Sequence, residues 1–136
     1  MKLRTWPMRN SRKIKKIRIK AAQGQQWHCY YCREPMWDGD PLTFSEHFSL
    51  SPKEALRYRC TAEHLYERGR GGADSELNIV AACHYCNRTR HRAKQPKDPT
   101  SYGKYVQSRM KAGRWHPARL HCQSDPQVSW RSPSDP

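Results

Sequence analysis

The sequence predicts a small α+β fold: two short strands, a helix directly after the second strand, and further helices on either side of this core. Residues 57–63 alternate in polarity, as a half-buried strand does. Residues 78–82 are mostly apolar and lead into the second of two Cys-x-x-Cys pairs. The hydrophobic fraction is 35%, below the roughly 45–50% of an average domain, so the core needs a staple such as a disulfide or a metal.

The charge balance predicts a polyanionic partner. The chain has 26 Lys and Arg against 12 Asp and Glu, a net charge of +14, and no acidic residue precedes Glu34. Neutralising phosphates releases condensed counterions, which favours nucleic acid over a merely soluble basic surface. No apolar run approaches the length of a membrane span, and residues 1–4 do not begin a secretion signal. We therefore expect a cytoplasmic protein with no membrane partner.

The first 23 residues are predicted to form a basic arm followed by a helix. Residues 1–10 are expected to be loose, and residues 11–23 place Ile14 and Ile17 on one helical face. Gly24 is typical of a helix end. The other faces carry cations, including Lys13, Lys15 and Lys16. These cations either contact phosphate or form a solvated face, and the sequence does not separate the two interpretations.

The segment between the two Cys pairs has few regular signals. Residues 33–50 show no clear period, and residues 38–41 are typical of a turn. Residues 51–54 read Ser-Pro-Lys-Glu, the pattern of a capping box with proline at the first helical position, so one or two helical turns are expected there. Residues 65–76 are predicted to be a loop.

Two helices are predicted after the second Cys pair. Residues 87–95 form the first, which Pro96 ends, and residues 101–112 form the second. The remainder is rich in Pro and Ser. The predicted organisation is an arm and helix over 1–23, a core over 24–97, a helical segment over 98–115 and a poorly ordered tail over 116–136.

Four cysteines predict a structural zinc site. Cys29, Cys32, Cys83 and Cys86 form two Cys-x-x-Cys pairs, and four thiolates satisfy tetrahedral zinc with no open position. Two unrelated redox pairs, or disulfides, are the alternative interpretation. Zinc binding stabilises small peptides by about 10–16 kcal/mol, so one ion would compensate for the thin core.

A group of polar residues surrounds the two predicted strands. Glu63 and His64 end the first strand, Asn78 begins the second, and Asn87 begins the following helix. Histidine has a near-neutral pKa and suits a general base. Carboxylate and amide oxygens suit Mg²⁺. The layout is typical of a metal-dependent phosphodiesterase site.

The motifs Glu63-His64, Gly71-Gly72, Asn78 and Cys83-x-x-Cys86-Asn87 resemble the zinc-stapled version of the HNH endonuclease family over about residues 27–94. The resemblance implies a ββα-metal (His-Me finger) core that holds one divalent ion. The three family letters fall on His64, Asn78 and Asn87, the His-Asn-Asn form. His64 would be the general base, Asn78 would pin the loop and orient His64, and Glu63 and Asn87 would be metal ligands. The family more often has Asp where this chain has Glu63.

His91 follows Asn87 by one helical turn, so both side chains face the same way. His91 is either a further ligand, favouring a transition metal such as Mn²⁺, or a contact to phosphate. The resemblance also implies that cations of the helix and loop contact the DNA backbone. These cations are Arg68, Arg70, Arg88, Arg90, Arg92 and Lys94.

The sequence therefore predicts a metal-dependent endonuclease that hydrolyses DNA with Mg²⁺ or Mn²⁺ and nicks one strand per active site. The resemblance implies a bacterial or phage-infected cell, with a larger nucleoprotein or phage protein as a partner that the sequence leaves open. The alternative is a non-catalytic zinc-ribbon module that binds nucleic acid, or an adaptor subunit.

Overall fold

The structure, a computed structural model, describes residues 11–117 and residue 120. The predicted loose arm over residues 1–10 and most of the predicted tail lie outside these residues. Five helices and two strands follow one another in the order α1, α2, α3, β1, β2, α4 and α5 within the described part of the chain. No helix there is both long and apolar enough to cross a membrane.

Helix α1 spans Ser11–Gly24, close to the predicted 11–23. Ile17 and Ala22 are its buried residues, while the lysines on its other faces are exposed. The helix packs against both strands. It therefore contributes to the core through a narrow apolar face and leaves most of its charge in solvent.

The sheet consists of β1, Cys60–His64, and β2, Ile79–Cys83, paired antiparallel. The register runs from Cys60 opposite Cys83 to His64 opposite Ile79. The first strand starts later than predicted because residues Leu56–Tyr58 form a 3₁₀ turn. Two strands alone are marginal in water, so this sheet depends on the helices that pack against it.

Helix α2, Pro41–Phe48, was not predicted. The residues before it were interpreted as a turn, but Asp40 is the N-cap and accepts a hydrogen bond from the Leu42 N–H at 2.9 Å. Pro41 occupies the first helical position, where its missing N–H costs nothing. Phe44 and Phe48, one turn apart, bury the inner face.

Helix α3, Pro52–Ala55, confirms the predicted capping box. The Ser51 hydroxyl accepts from the Glu54 N–H at 3.1 Å, and the Ser51 N–H donates to the Glu54 carboxylate at 3.0 Å. The short helix continues into the 3₁₀ turn Leu56–Tyr58, and β1 begins two residues after that turn.

Helix α4, His84–Arg92, begins three residues before the predicted start at residue 87. Cys83 itself is the N-cap, and its Sγ accepts from the Cys86 N–H at 3.4 Å. The helix ends at Arg92 rather than at residue 95. The second Cys pair therefore spans the helix start, which couples the helix to the cysteine cluster.

Helix α5, Pro99–Lys111, begins two residues before the predicted start because Asp98 caps it and accepts from the Ser101 N–H at 2.9 Å. Tyr102, Val106 and Met110 are its buried residues, whereas Tyr105 is exposed. The chain stays packed beyond the helix, since Trp115, His116 and Leu120 are all buried. His116, Pro117 and Leu120 are the residues of the predicted tail that the structure describes, and the rest of the tail lies outside the described residues.

Candidate metal centres and active-site cleft

The four cysteines predicted to bind zinc come together in the core. Cys29, Cys32, Cys83 and Cys86 are all buried, and their sulfur atoms lie within 4.8 Å of one another. Among residues 11–117 and 120, no other group of three or more His, Cys, Asp or Glu residues brings its ligand atoms this close. A closed set of four thiols is the donor set of a structural zinc site.

Hydrogen-bond donors surround these sulfur atoms. The Tyr31 and Cys83 N–H groups donate to Cys29 Sγ at 3.4 and 3.3 Å. From the C-terminal segment, the Trp115 indole N–H donates to Cys86 Sγ at 3.2 Å, and His116 Nε2 lies 3.4 Å from Cys32 Sγ. Such donors stabilise thiolates and orient them toward a metal.

The electrostatics of the cluster also favour a bound cation. Burial raises the pKa of Cys32, Cys83 and Cys86, and hydrogen bonds to Cys29 raise it further for all three. The pKa of Cys29 is lowered despite its burial, because the other three cysteines form hydrogen bonds with its sulfur. A bound cation would offset the cost of ionising the buried thiols of this cluster.

A second group of predicted residues lines a cleft of about 930 Å³, which we call the His64 cleft. Helix α1, strand β1 and helix α4 form its walls. The lining includes Lys15 and Arg18, Glu63 and His64, and Asn87 and His91. The structure thus brings the predicted base and the predicted ligands of the catalytic ion to one cavity.

Glu63 lies at the base of the His64 cleft with its side chain 1% exposed. His91 Nε2 is 2.7 Å from Glu63 Oε1, and Arg90 Nη1 is 3.4 Å from Oε2. Oε2 is buried and makes no hydrogen bond. The Glu63 carboxylate thus already lies against one cation, Arg90, on Oε2 and against His91 on Oε1.

The orientation of Asn87 is set by strand β1. Its Nδ2 donates to Thr61 Oγ1 at 3.0 Å and to the Ala62 carbonyl at 3.1 Å. Because the amide nitrogen is committed to the strand, the amide oxygen remains as a metal donor. Glu63, Asn87 and His91 are the residues that could hold a divalent cation in this cleft, and a histidine ligand would favour Mn²⁺ over Mg²⁺.

His64 ends strand β1, and its side chain is 13% exposed. Its Nε2 lies 2.7 Å from Oδ1 of Asp74, whose side chain is 21% exposed. Sequence reasoning missed Asp74, which lies in the predicted loop 65–76. The sequence signal that could have found it is an acidic residue in the short stretch between Gly72 and Asn78.

Asn78 holds this loop in place through hydrogen bonds of its side-chain amide. Its Oδ1 accepts from the Tyr66 N–H at 2.8 Å, and its Nδ2 donates to the carbonyls of Tyr66 and Ala73 at 3.0 and 2.9 Å. All its amide atoms are used in closing the loop onto the start of β2. Asn78 therefore holds the loop closed, and its predicted part in orienting His64 stays a prediction.

Residues 45–93 match the HNH endonuclease family. This segment, which is similar to an HNH domain, begins within α2, ends just after α4 and includes both strands. The matched segment holds His64, Asn78 and Asn87 but not Cys29 and Cys32, so the cysteine cluster joins this segment to residues before it. No curated protein matches the chain.

One predicted DNA contact of the HNH domain is wrong. Arg90 is 4% exposed, and its guanidinium donates to the carbonyls of His64, Leu65 and Lys97 at 3.1–3.2 Å. It also lies beside the buried carboxylate of Glu63. Because Arg90 faces the interior side of α4, its cation neutralises Glu63 and satisfies strand-end carbonyls instead of binding phosphate.

The other cations predicted to contact DNA stay predictions, and the structure places most of them on the surface. Lys15 lines the His64 cleft, and Lys13 and Lys16 line a neighbouring depression. The exposed cations of the loop and α4 region are Arg70, Arg88, Arg92 and Lys94. Arg68 begins a 3₁₀ turn. Sequence reasoning missed Arg59, an exposed residue that lines the cleft at the start of β1.

Proposed function

We propose that this protein is a metal-dependent HNH endonuclease that hydrolyses phosphodiester bonds of DNA. The supporting observation is the His64 cleft, in which an acid-paired histidine shares one cavity with Glu63, Asn87 and His91. The net charge of +14 and the exposed cations beside the cleft suit a DNA backbone.

In the proposed reaction, His64 accepts a proton from a water molecule, and the water oxygen bonds to phosphorus as the P–O3′ bond breaks. The 3′ oxygen takes up a proton, which gives a 3′-hydroxyl and a 5′-phosphate. A divalent ion held by Glu63, Asn87 and His91 would supply positive charge beside the developing oxyanion. Each chain carries one His64, so one chain should nick one strand.

The surroundings of His64 suit a general base. Its backbone carbonyl is held by Arg90 at 3.2 Å, and its ring is held by Asp74. Arg90 also lies beside Glu63, so one buried guanidinium supports both the base and a metal ligand. Cutting efficiency depends on such placement, because small displacements of reacting groups are costly.

The test is nicking of supercoiled plasmid with Mg²⁺ or Mn²⁺, comparing wild type with His64→Ala. We expect the variant to be slower by about a hundredfold or more, the contribution of a general base. His47→Ala, an exposed histidine on α2, is the matched control and should cut like wild type. Equal cutting by wild type and His64→Ala would refute the assignment of the base.

A second candidate is a non-catalytic nucleic-acid-binding module. One observation favours it: within the described residues, the four cysteines alone form a tight group of metal-ligating side chains, and Glu63 already contacts His91 and Arg90. This candidate predicts salt-dependent DNA binding with no cleavage by any metal tested. Divalent-ion binding that Glu63→Gln abolishes would favour the enzyme.

A further inference from the structure

Asp74 is the acidic residue that contacts the ring of His64. The 2.7 Å separation of Asp74 Oδ1 and His64 Nε2 is that of a strong hydrogen bond. Both side chains are largely shielded from water, at 13% and 21% exposure. Shielding strengthens a hydrogen bond between polar groups, so the contact constrains the ring more than a surface pair would.

The bond determines which ring nitrogen carries the proton. An ionised carboxylate offers only acceptors, so Nε2 of His64 must be the donor. In the neutral imidazole, Nδ1 then holds the lone pair. Within the described residues Nδ1 makes no hydrogen bond, so it remains able to accept a proton from water.

The backbone around Asp74 is anchored on both sides. On one side, Asn78 donates to the Ala73 carbonyl at 2.9 Å. On the other, the Ser75 carbonyl accepts from the Asn78 and Ile79 N–H groups at 3.0 and 2.9 Å. Asp74 is therefore held between two fixed residues at the start of β2, opposite the end of β1 where His64 lies.

We propose that Asp74 is a positioning residue that fixes the ring of His64 in the Nε2–H tautomer, with Nδ1 as the base. This inference rests on the proposed function, and it pairs the proposed base, His64, with a carboxylate that positions its ring, Asp74. It also gives Asn78 an indirect role: by closing the loop, Asn78 places Asp74 against His64.

The test compares Asp74→Ala and Asp74→Asn with Glu76→Gln. Glu76→Gln is the matched control because it also removes one acidic residue from this loop. Glu76 contacts Lys20 and not His64. Single-turnover nicking at saturating DNA should slow at least about tenfold in both Asp74 variants, with unchanged DNA affinity. Glu76→Gln should stay within about twofold of wild type. Melting temperature and zinc content would show whether each variant folds.

A second readout needs no DNA and no activity. In ¹⁵N-histidine-labelled protein, the His64 ring, assigned by its loss in His64→Ala, should show the Nε2–H tautomer when neutral. In Asp74→Ala the fraction of the Nε2–H form should fall toward that of a free imidazole, which itself favours Nε2–H. Asp74→Asn preserves shape, so it provides the comparison if the alanine variant does not fold.

The outcomes separate this inference from the proposed function. If His64→Ala abolishes nicking but both Asp74 variants cut at the wild-type rate, the enzyme stands and the positioning role is overturned. An Nδ1–H tautomer in the wild type would overturn it equally. If wild type cuts no faster than His64→Ala, the proposed function fails, while the tautomer measurement still decides the contact.

Discussion

At the scale of single residues, Arg90 shows that a buried cation stabilises the fold through its contact with Glu63 instead of binding a partner. Arg90→Ala would leave the Glu63 carboxylate buried beside an empty space, which typically costs about 3–5 kcal/mol. We expect this loss of stability in chemical denaturation. The slope of DNA affinity against salt, measured on the folded fraction, should be unchanged.

Arg92→Ala is the matched control, because Arg92 is exposed on the same helix. This substitution should change the free energy of unfolding by no more than about 0.5 kcal/mol. It should reduce the slope of log DNA affinity against log salt concentration by about one. The opposite pattern, a stable Arg90→Ala with a flattened salt slope, would return Arg90 to the DNA interface.

The same contrast explains which site residues the sequence could predict. His64, Asn78 and Asn87 were found because each follows from local order along two strands and a helix start. Arg90 was misassigned because its neighbours in sequence are exposed cations, and only the tertiary fold reveals that its direction on α4 is inward. Asp74 and Arg59 were missed because their importance depends on proximity to His64 in space.

At the scale of elements, the loop between the strands depends on Gly72. A Cβ there would overlap the Tyr66 carbonyl oxygen and come within 2.8 Å of the Glu67 carbonyl carbon. Gly72→Ala should therefore displace the loop that carries Asp74 and lower the nicking rate by about a hundredfold, since misplacement of about 1 Å can cost that much. Circular dichroism and zinc content should remain near wild type.

Gly69→Ala tests the specificity of that prediction. A Cβ on Gly69 meets no atom within 4 Å. The variant should nick at close to the wild-type rate, although it lies in the same loop. If the two variants behave alike, the close approach at Gly72 is not what fixes the loop.

The elements themselves were predictable where capping chemistry or periodicity was strong. Helix α1 and the box at Ser51 and Glu54 match their predictions closely. Helix α2 was missed because Asp40-Pro41 is typical of both a turn and a helix start, and an eight-residue helix offers little periodicity to decide between them. The start of α4 was misplaced because a cysteine sulfur, rather than a hydroxyl or carboxylate, caps it.

At the scale of the whole molecule, the cysteine cluster connects distant parts of the chain. Trp115 donates to Cys86 Sγ from beyond α5, so the C-terminal segment completes the surroundings of the proposed zinc ion. Trp115→Phe keeps an aromatic ring but removes the donor. We expect zinc affinity to fall by about 10–100-fold, measured by competition with a chromogenic chelator.

Tyr66→Phe is a suitable control, because this exposed aromatic residue lies in the loop between the strands. Its zinc affinity should equal that of wild type. Unchanged affinity in Trp115→Phe would mean that the indole only packs against the cluster. The sequence could not predict this contact, since residues after 113 have no periodicity and their packing depends on the assembled core.

The separation of the two Cys pairs sets the order of events during synthesis. Cys32 and Cys83 lie 51 residues apart in sequence, so at about 5–20 residues per second the first pair waits roughly 3–10 s for the second. During that wait the first pair is exposed to oxidation and to competing metals. A cell short of zinc should therefore lose this protein to degradation before it accumulates as a folded chain without metal.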